Sequence, residues 1–133
     1  MDPAETNYFV SGRVNLIGEH IDYNGGLVMP IAISKGIKGV YKKRADDQVR
    51  LRSSTHEKQI TFSVNDIPSA YAVDNDWCNY PIGVIRHLYD NGLNPGGFEL
   101  SFDSDLPEGS GLSSSAAIEV LTGYILLHQA KNR

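Results

Sequence analysis

Short runs of apolar and β-branched residues fill the first half of the chain and are separated by polar turns. The runs predict strands over residues 8–17, 27–41, 49–53 and 59–64. Asn24-Gly25-Gly26 predicts the first turn, because these residues tolerate a positive φ. Pro30 and Gly36 interrupt the second run, which is therefore one long bent strand or two short ones. Short polar turns between strands imply a mostly antiparallel sheet.

Helical spacing dominates the second half of the chain. Apolar residues at helical intervals predict a helix over 80–91, and it should begin near Cys78 or Asn79 because Pro81 is tolerated only in a first turn. Gly92 stands where a C′ glycine would end this helix. The alternating residues 97–103 predict a further strand.

The second helix is predicted over residues 113–129. Its apolar stripe comprises Ala117, Val120, Leu121, Tyr124 and Leu127. Further apolar residues widen the stripe, so much of the helix circumference should be buried. The order ββββ-α-β-α predicts an α+β fold with both helices on one face of the sheet.

Composition and charge narrow the function classes. The chain has 133 residues, is 41% hydrophobic and carries a formal charge of -4. The length and hydrophobic fraction suit one compact domain over 1–133. The net negative charge argues against a nucleic-acid partner. The basic run 42–44 is followed at once by Asp46 and Asp47, which predicts a solvated turn.

Nothing in the sequence indicates export or membrane insertion. Cys78 is the one cysteine and cannot form an internal disulfide. No apolar stretch reaches the ~18–20 residues of a membrane helix. The first residues lack the basic and apolar regions of a signal peptide. We therefore expect a cytoplasmic location without a membrane partner.

Glycines and serines between the last predicted strand and helix form the most informative segment, residues 106–117. Gly109 and Gly111 permit a close backbone approach to a ligand, and a helix N-terminus attracts anions such as phosphate. Serine hydroxyls can bind phosphate oxygens or Mg²⁺. The segment lacks the lysine of a Walker A loop and the last glycine of a dinucleotide loop. The alternative is a turn whose serines only cap the helix.

The segment from Pro107 to Ala116 resembles the ATP-binding motif of the GHMP kinases, Pro-x-x-x-Gly-Leu-Ser-Ser-Ser-Ala. The resemblance implies ATP as co-substrate and Mg²⁺ as cofactor, with Ser114 as the metal ligand. It also implies a set of nucleotide-binding residues along the loop: Gly109, Ser110, Gly111, Leu112, Ser113, Ser114 and Ser115.

A second motif spans residues 12–30 and gathers an arginine, two carboxylates and an imidazole. Such donors and acceptors suit the hydroxyls of a sugar, although turn-capping and surface ion pairs are alternatives. The string is similar to the galactokinase signature Gly-Arg-x-Asn-Leu-Ile-Gly-Glu-His-x-Asp-Tyr, with Ile21 in place of the usual threonine. The resemblance implies that Arg13 stabilises the transferring phosphoryl group and helps activate the C1 hydroxyl. The implied galactose ligands are Glu19, His20, Asp22 and Tyr23.

A third resemblance lies at Trp77-Cys78-Asn79-Tyr80, close to the Trp-x-Asn-Tyr of galactokinases. It implies that Trp77 and Tyr80 flank adenine, and flat rings suit that role. Core packing is the alternative for Tyr80. His56, His87 and His128 are scattered and receive no role.

The resemblance implies a ribosomal protein S5 domain 2-like fold and phosphorylation of galactose at C1 by ATP. It covers residues 8–125, which correspond to the N-terminal part of a longer enzyme. The segment with the catalytic aspartate and the C-terminal domain of that enzyme are not in this sequence, so we expect no turnover by the isolated chain. A non-catalytic regulator that binds galactose and ATP, or a kinase for N-acetylgalactosamine or another hexose, is the alternative. The oligomeric state is open.

Overall fold

The computed structural model describes residues 4–17, 24–56, 59–69, 77–107 and 114–132. Its elements follow the predicted order: β1 (Glu5–Asn15), β2 (Pro30–Lys43), β3 (Gln48–Ser53), β4 (Ile60–Ser63), α1 (Asn79–Asp90), β5 (Phe98–Ser104) and α2 (Ser114–Lys131). The α+β prediction is confirmed. The second apolar run forms one strand, β2.

The strands form one sheet in the order β1-β2-β5-β3-β4. β1 with β2, β2 with β5 and β3 with β4 are antiparallel, and only β3 with β5 is parallel. The prediction of a mostly antiparallel sheet is therefore confirmed. β5 comes last in the chain among the described strands but lies at the centre, between the two hairpins.

Both helices cover one face of the sheet. Phe98, Leu100 and Phe102 alternate along β5 and belong to the buried core, which also includes Ile82 and Ile85 of α1. α2 packs on β1 and β2, and α1 packs on α2. This arrangement confirms the predicted placement of the helices.

The opposite face of the sheet is polar. The Glu99 carboxylate lies 3.4 Å from Nη1 of Arg44, 3.5 Å from Nη1 of Arg50 and 3.1 Å from Nη2 of Arg52. Arg44 also pairs with Asp46 at 2.6 Å. Residues 45–47 are exposed, which confirms the predicted solvated turn, and the Arg44–Asp46 ion pair adds to that prediction.

Local residues define both ends of α1. Pro81 lies in the first turn, where its missing N–H leaves no helical carbonyl unpaired. Gly92 has φ +91°, and its N–H donates to the Tyr89 carbonyl at 3.0 Å. The N–H of Leu93 donates to the Leu88 carbonyl at 2.9 Å, which completes a Schellman motif. The predicted C′ glycine is confirmed.

The orientation of α2 differs from the predicted stripe. Its buried residues are Ala117, Leu121, Thr122, Ile125 and Leu126, whereas Val120, Tyr124 and Leu127 are 59%, 60% and 47% exposed. The prediction was wrong for these three because the helix is apolar on all sides, so periodicity could not select the face. Neither described helix has the length and apolar character of a bilayer-spanning segment.

Candidate functional site

A pocket of about 330 Å³ lies at one end of the sheet, within the size range of small-ligand sites. Because β3 and β5 are parallel, their carboxyl ends meet at this edge, where α1 and α2 begin. The lining residues come from these four places and from β2: Ile37, Ser53, Thr55, His56, Trp77, Tyr80, Phe102, Ser104, Leu106, Ser114, Ser115 and Ile118.

This pocket is lined by the two aromatic residues that the sequence analysis predicts to flank adenine. Trp77 is 8% exposed, and its ring packs edge-on against Phe102 with centroids 5.9 Å apart. Tyr80 lies in the first turn of α1 and is 43% exposed, so it is not a core residue. One ring is therefore held by the core while the other stands open to a ligand.

The N-terminus of α2 forms another part of the pocket wall. Ser114 and Ser115 are its first residues, and both line the pocket. The first N–H groups of a helix have no partner within the helix and carry partial positive charge. This wall can therefore accept an anionic group. Residues 109–113, which complete the predicted phosphate loop, lie outside the described residues.

Arg13 lies on β1 and is not among the residues that line the pocket. The β1–β2 pairing shifts register immediately before it, from Ser11 opposite Gly36 to Arg13 opposite Ala32. Such irregularities redirect side chains. The predicted sugar ligands Glu19, His20, Asp22 and Tyr23 lie outside the described residues.

Asp105 connects this irregular segment to the chain that leads into the phosphate loop. Its Oδ1 accepts from the N–H of Gly36 at 2.7 Å, and its own N–H donates to the Gly36 carbonyl at 3.2 Å. Gly36 allows no side chain, because a Cβ there would lie 2.0 Å from the Val10 carbonyl oxygen. The start of the loop is thus held on β2, the strand that pairs with the β1 strand of Arg13.

The sequence assigned no role to three pocket residues at the end of β3: Ser53, Thr55 and His56. Their hydroxyl and imidazole groups reach the pocket through the parallel pairing of Ser53 with Phe102. The imidazole of His56 lies over the Trp77 indole, with centroids 6.1 Å apart and planes 12° from parallel. No local sequence signal marks this contact, because it depends on non-local strand pairing.

Comparison with known protein families gives two matches in this chain. Residues 2–43 match the galactokinase galactose-binding signature, and residues 79–132 match the GHMP kinases N terminal domain. The first match is to galactokinases and the second to the wider GHMP kinase family, and neither extends over half of the chain. The fold is ribosomal S5 domain 2-like.

Curated galactokinases share almost half of their aligned residues with this chain. The galactokinase of Clostridium tetani is 44% identical over 120 residues, which are 90% of this chain and 30% of the relative. That of Enterococcus faecalis is 47% identical over 121 residues, or 89% of this chain and 31% of the relative. The chain thus spans about a third of the length of these galactokinases.

Solved structures of GHMP kinases also resemble this chain. The galactokinase of Lactococcus lactis, complexed with galactose, is 40% identical, with a TM-score of 0.80 over 92% of this chain and 32% of that protein. The mevalonate kinase of Methanococcus jannaschii has a TM-score of 0.76 at 19% identity, over 98% of this chain and 48% of that protein. At that identity the mevalonate kinase supports the fold alone.

Proposed function

We propose that this chain serves as the N-terminal part of a galactokinase, which transfers the γ-phosphoryl group of ATP to the C1 hydroxyl of galactose and forms galactose 1-phosphate and ADP. The observation that carries the proposal is the 44–47% identity to curated galactokinases over about 90% of the chain. The pocket supports it, because its walls combine aromatic rings with a helix N-terminus.

The nucleotide would occupy the pocket with its base towards Trp77 and Tyr80. Its phosphates would meet the first turn of α2, where Ser114 and Ser115 add hydroxyl donors to the backbone N–H groups. Gly109, Ser110, Gly111, Leu112 and Ser113 would complete the phosphate contacts. Phosphoryl transfer depends mainly on such positioning and on stabilisation of negative charge.

Mg²⁺ would bind at the same end of α2. The exposed Ser114 hydroxyl is the hard oxygen ligand that this ion prefers. No group of three His, Cys, Asp or Glu residues that could hold a metal occurs in the described ranges. The described residues therefore suit a Mg²⁺ ion that binds together with the nucleotide. When bound, the ion would neutralise charge on the nucleotide phosphates.

Arg13 would stabilise charge on the transferring phosphoryl group and lower the barrier to ionisation of the sugar C1 hydroxyl. A guanidinium suits this role because it remains charged and presents several donors. Glu19, His20, Asp22 and Tyr23 would orient galactose through its hydroxyls. The Asp105–Gly36 contact supports the scheme, since it holds the approach to the phosphate loop on β2, the strand that pairs with the β1 strand of Arg13.

The isolated chain would bind substrates without completing the reaction, because the family resemblance assigns the acceptor of the C1 hydroxyl proton to none of its residues. We also propose that it acts in the cytoplasm, where ATP is available. No membrane or nucleic-acid partner is needed for this scheme.

Equilibrium binding to the purified chain tests the proposal. We expect saturable binding of ADP and of galactose, no galactose-dependent ADP release from ATP, and weaker galactose binding in Asp22→Ala. Glucose, which differs from galactose at C4, is the control sugar. Absence of both ADP and galactose binding in a folded chain would contradict the proposed function, and turnover would show that the chain holds its own proton acceptor.

A further inference from the structure

The side chain of Asp105 takes a place in the sheet that a backbone carbonyl normally fills. Ile37 of β2 pairs with Ser104 of β5, so the next antiparallel pair would be Gly36 with Asp105. In a regular pair of this kind each N–H donates to the carbonyl of the other residue. The Asp105 N–H does so, at 3.2 Å from the Gly36 carbonyl oxygen. The Gly36 N–H donates instead to Oδ1 of the Asp105 side chain, at 2.7 Å.

This exchange of acceptors marks the point where the chain leaves the sheet, since β5 ends at Ser104. Because a side-chain oxygen pairs the Gly36 N–H, the peptide group between Asp105 and Leu106 can turn away from β2. Leu106 is buried, and it lines the pocket together with Ser104. The side chain of Asp105 therefore bears on the direction in which the chain enters the pocket wall.

The donor of this bond is held in place by packing. Gly36 is buried, and a Cβ on it would lie 2.8 Å from Cζ of Phe9 and 2.8 Å from Cα of Ser11. Gly36 thus has little room to follow a movement of the loop. A buried N–H without an acceptor is unfavourable, so the Gly36 N–H needs a partner at this position.

Removal of the Asp105 carboxylate would leave the core intact but change the partner of Gly36. Asp105 is exposed, so its side chain adds little to core packing. Without the carboxylate, the backbone carbonyl of residue 105 can accept from the Gly36 N–H, as in a regular ladder. That requires rotation of the peptide group that precedes Leu106. The rotation would move Leu106 from its place in the pocket wall.

We propose that Asp105 is a positioning residue for nucleotide binding, because its side-chain bond to the Gly36 N–H directs Leu106 into the pocket wall. The inference rests on the proposed function, which assigns the nucleotide to this pocket. Asp105 is not among the residues that line the pocket. It therefore acts through the geometry of a hydrogen-bond acceptor and not through its charge.

Two substitutions separate geometry from charge, with ADP affinity measured by calorimetry. Asp105→Asn removes the charge but keeps an acceptor oxygen at the same place, so it should bind ADP within about threefold of the unmodified chain. Asp105→Glu keeps the charge but carries its oxygens one methylene further out. ADP binding should therefore weaken about 5- to 50-fold in Asp105→Glu, as it should in Asp105→Ala. Weak binding by Asp105→Asn beside normal binding by Asp105→Glu would overturn the proposal.

Asp47→Ala is the matched control for a loss of stability. The Asp47 carboxylate accepts from the Ser63 hydroxyl at 2.8 Å, and it precedes β3, whereas the pocket lies at the carboxyl end of that strand. This variant should bind ADP like the unmodified chain, even where its urea midpoint falls. Galactose binding should be the same in all Asp105 variants, and an equal loss of galactose and ADP binding would assign Asp105 a general structural role.

Amide signals in a nitrogen–proton NMR spectrum test the geometry without a nucleotide. Those of Ser104 and Leu106 should shift in Asp105→Ala and Asp105→Glu and should stay close to their original positions in Asp105→Asn. Unchanged signals in Asp105→Ala would overturn the proposal. Equal ADP affinity of the unmodified chain and Asp105→Ala would overturn it while the nucleotide site stands. If the folded unmodified chain binds no ADP, the nucleotide part of the proposed function fails, and the role of Asp105 in nucleotide binding fails with it.

Discussion

Gly39 of β2 lies directly beneath Ile125 of α2, and a Cβ built on this glycine would be 3.0 Å from Cδ1 of Ile125. The same Cβ would lie 3.1 Å from Cδ2 of Leu121. The missing side chain thus lets α2 approach the sheet closely. This position in β2 therefore contributes to the close contact of α2 with the sheet.

Replacement of Gly39 by alanine should therefore destabilise the fold. Overpacking of a filled core costs ~1–3 kcal/mol of unfolding free energy. Urea denaturation followed by circular dichroism measures the change. Gly83→Ala is the control, because a Cβ there meets nothing within 4 Å and alanine in a helix is favoured by ~0.5–1 kcal/mol. Equal midpoints for the two variants would show that α2 does not need the space above Gly39.

Replacement of Glu99 by glutamine should destabilise the polar face of the sheet. The carboxylate contacts three guanidinium groups and is 19% exposed, so its loss leaves like charges together. We expect a loss of ~1–3 kcal/mol of unfolding free energy. Asp90→Asn removes an exposed pair with Arg86 at 3.9 Å, and its effect should stay within ~0.5 kcal/mol. If Glu99→Gln left the unfolding free energy unchanged, solvent would be screening the charges of the three arginines.

The turn at Asp46 should make stability depend on pH in the acidic range. The side-chain hydrogen bond from Arg44 lowers the pKa of Asp46 from 3.8 to about 2. Because this pKa is depressed in the folded state, the carboxylate stabilises the fold above about pH 4, and the contribution is lost as the pH falls towards 2.

Asp46→Asn removes this contribution at every pH. The difference in urea midpoint between the unmodified chain and the variant should therefore be largest near pH 6 and should shrink between pH 4 and 2. Asp47, whose pKa is also lowered by hydrogen bonds from Gln48 and Ser63, is present in both proteins. A constant difference across this range would argue against the Arg44–Asp46 interaction.

Tyr8 joins β1 to the last turns of α2. Its hydroxyl lies 2.8 Å from Nδ1 of His128 and accepts from Nε2 of Gln129 at 2.8 Å. Tyr8→Phe keeps the ring and removes both bonds, so unfolding free energy should fall by ~0.5–2 kcal/mol. Tyr124→Phe, whose hydroxyl takes part in neither bond, should unfold like the unmodified chain. Amide exchange over α2 would locate the loss.

Local chemistry explains which parts of the fold could be predicted. Pro81 and Gly92 restrict the backbone by themselves, so the bounds of α1 were predicted to within a residue or so. α2 is apolar on every side, so its buried face is decided by Gly39 and the neighbouring sheet rather than by periodicity. The parallel pairing of β3 with β5 joins segments separated by one strand, β4, and one helix, α1, and neither segment carries a local sequence signal for this pairing.

The candidate site likewise contains residues that could be predicted from the sequence and one that could not. Trp77, Tyr80 and the serines at the start of α2 belong to contiguous motifs, and the structure brings those it describes to one pocket. His56 stands in no motif. It reaches Trp77 only because β3 ends beside β5, so its place in the wall follows from the assembled sheet.

The central position of β5 also determines when this chain can fold during synthesis. Both hairpins are complete by residue 63, yet the described strands join them only through β5 at Phe98–Ser104. A nascent chain that ends before residue 98 therefore carries two separate hairpins with open edges. The sheet is completed only after β5 leaves the ribosome. The nascent chain is therefore most susceptible to aggregation and proteolysis in the interval before β5 emerges.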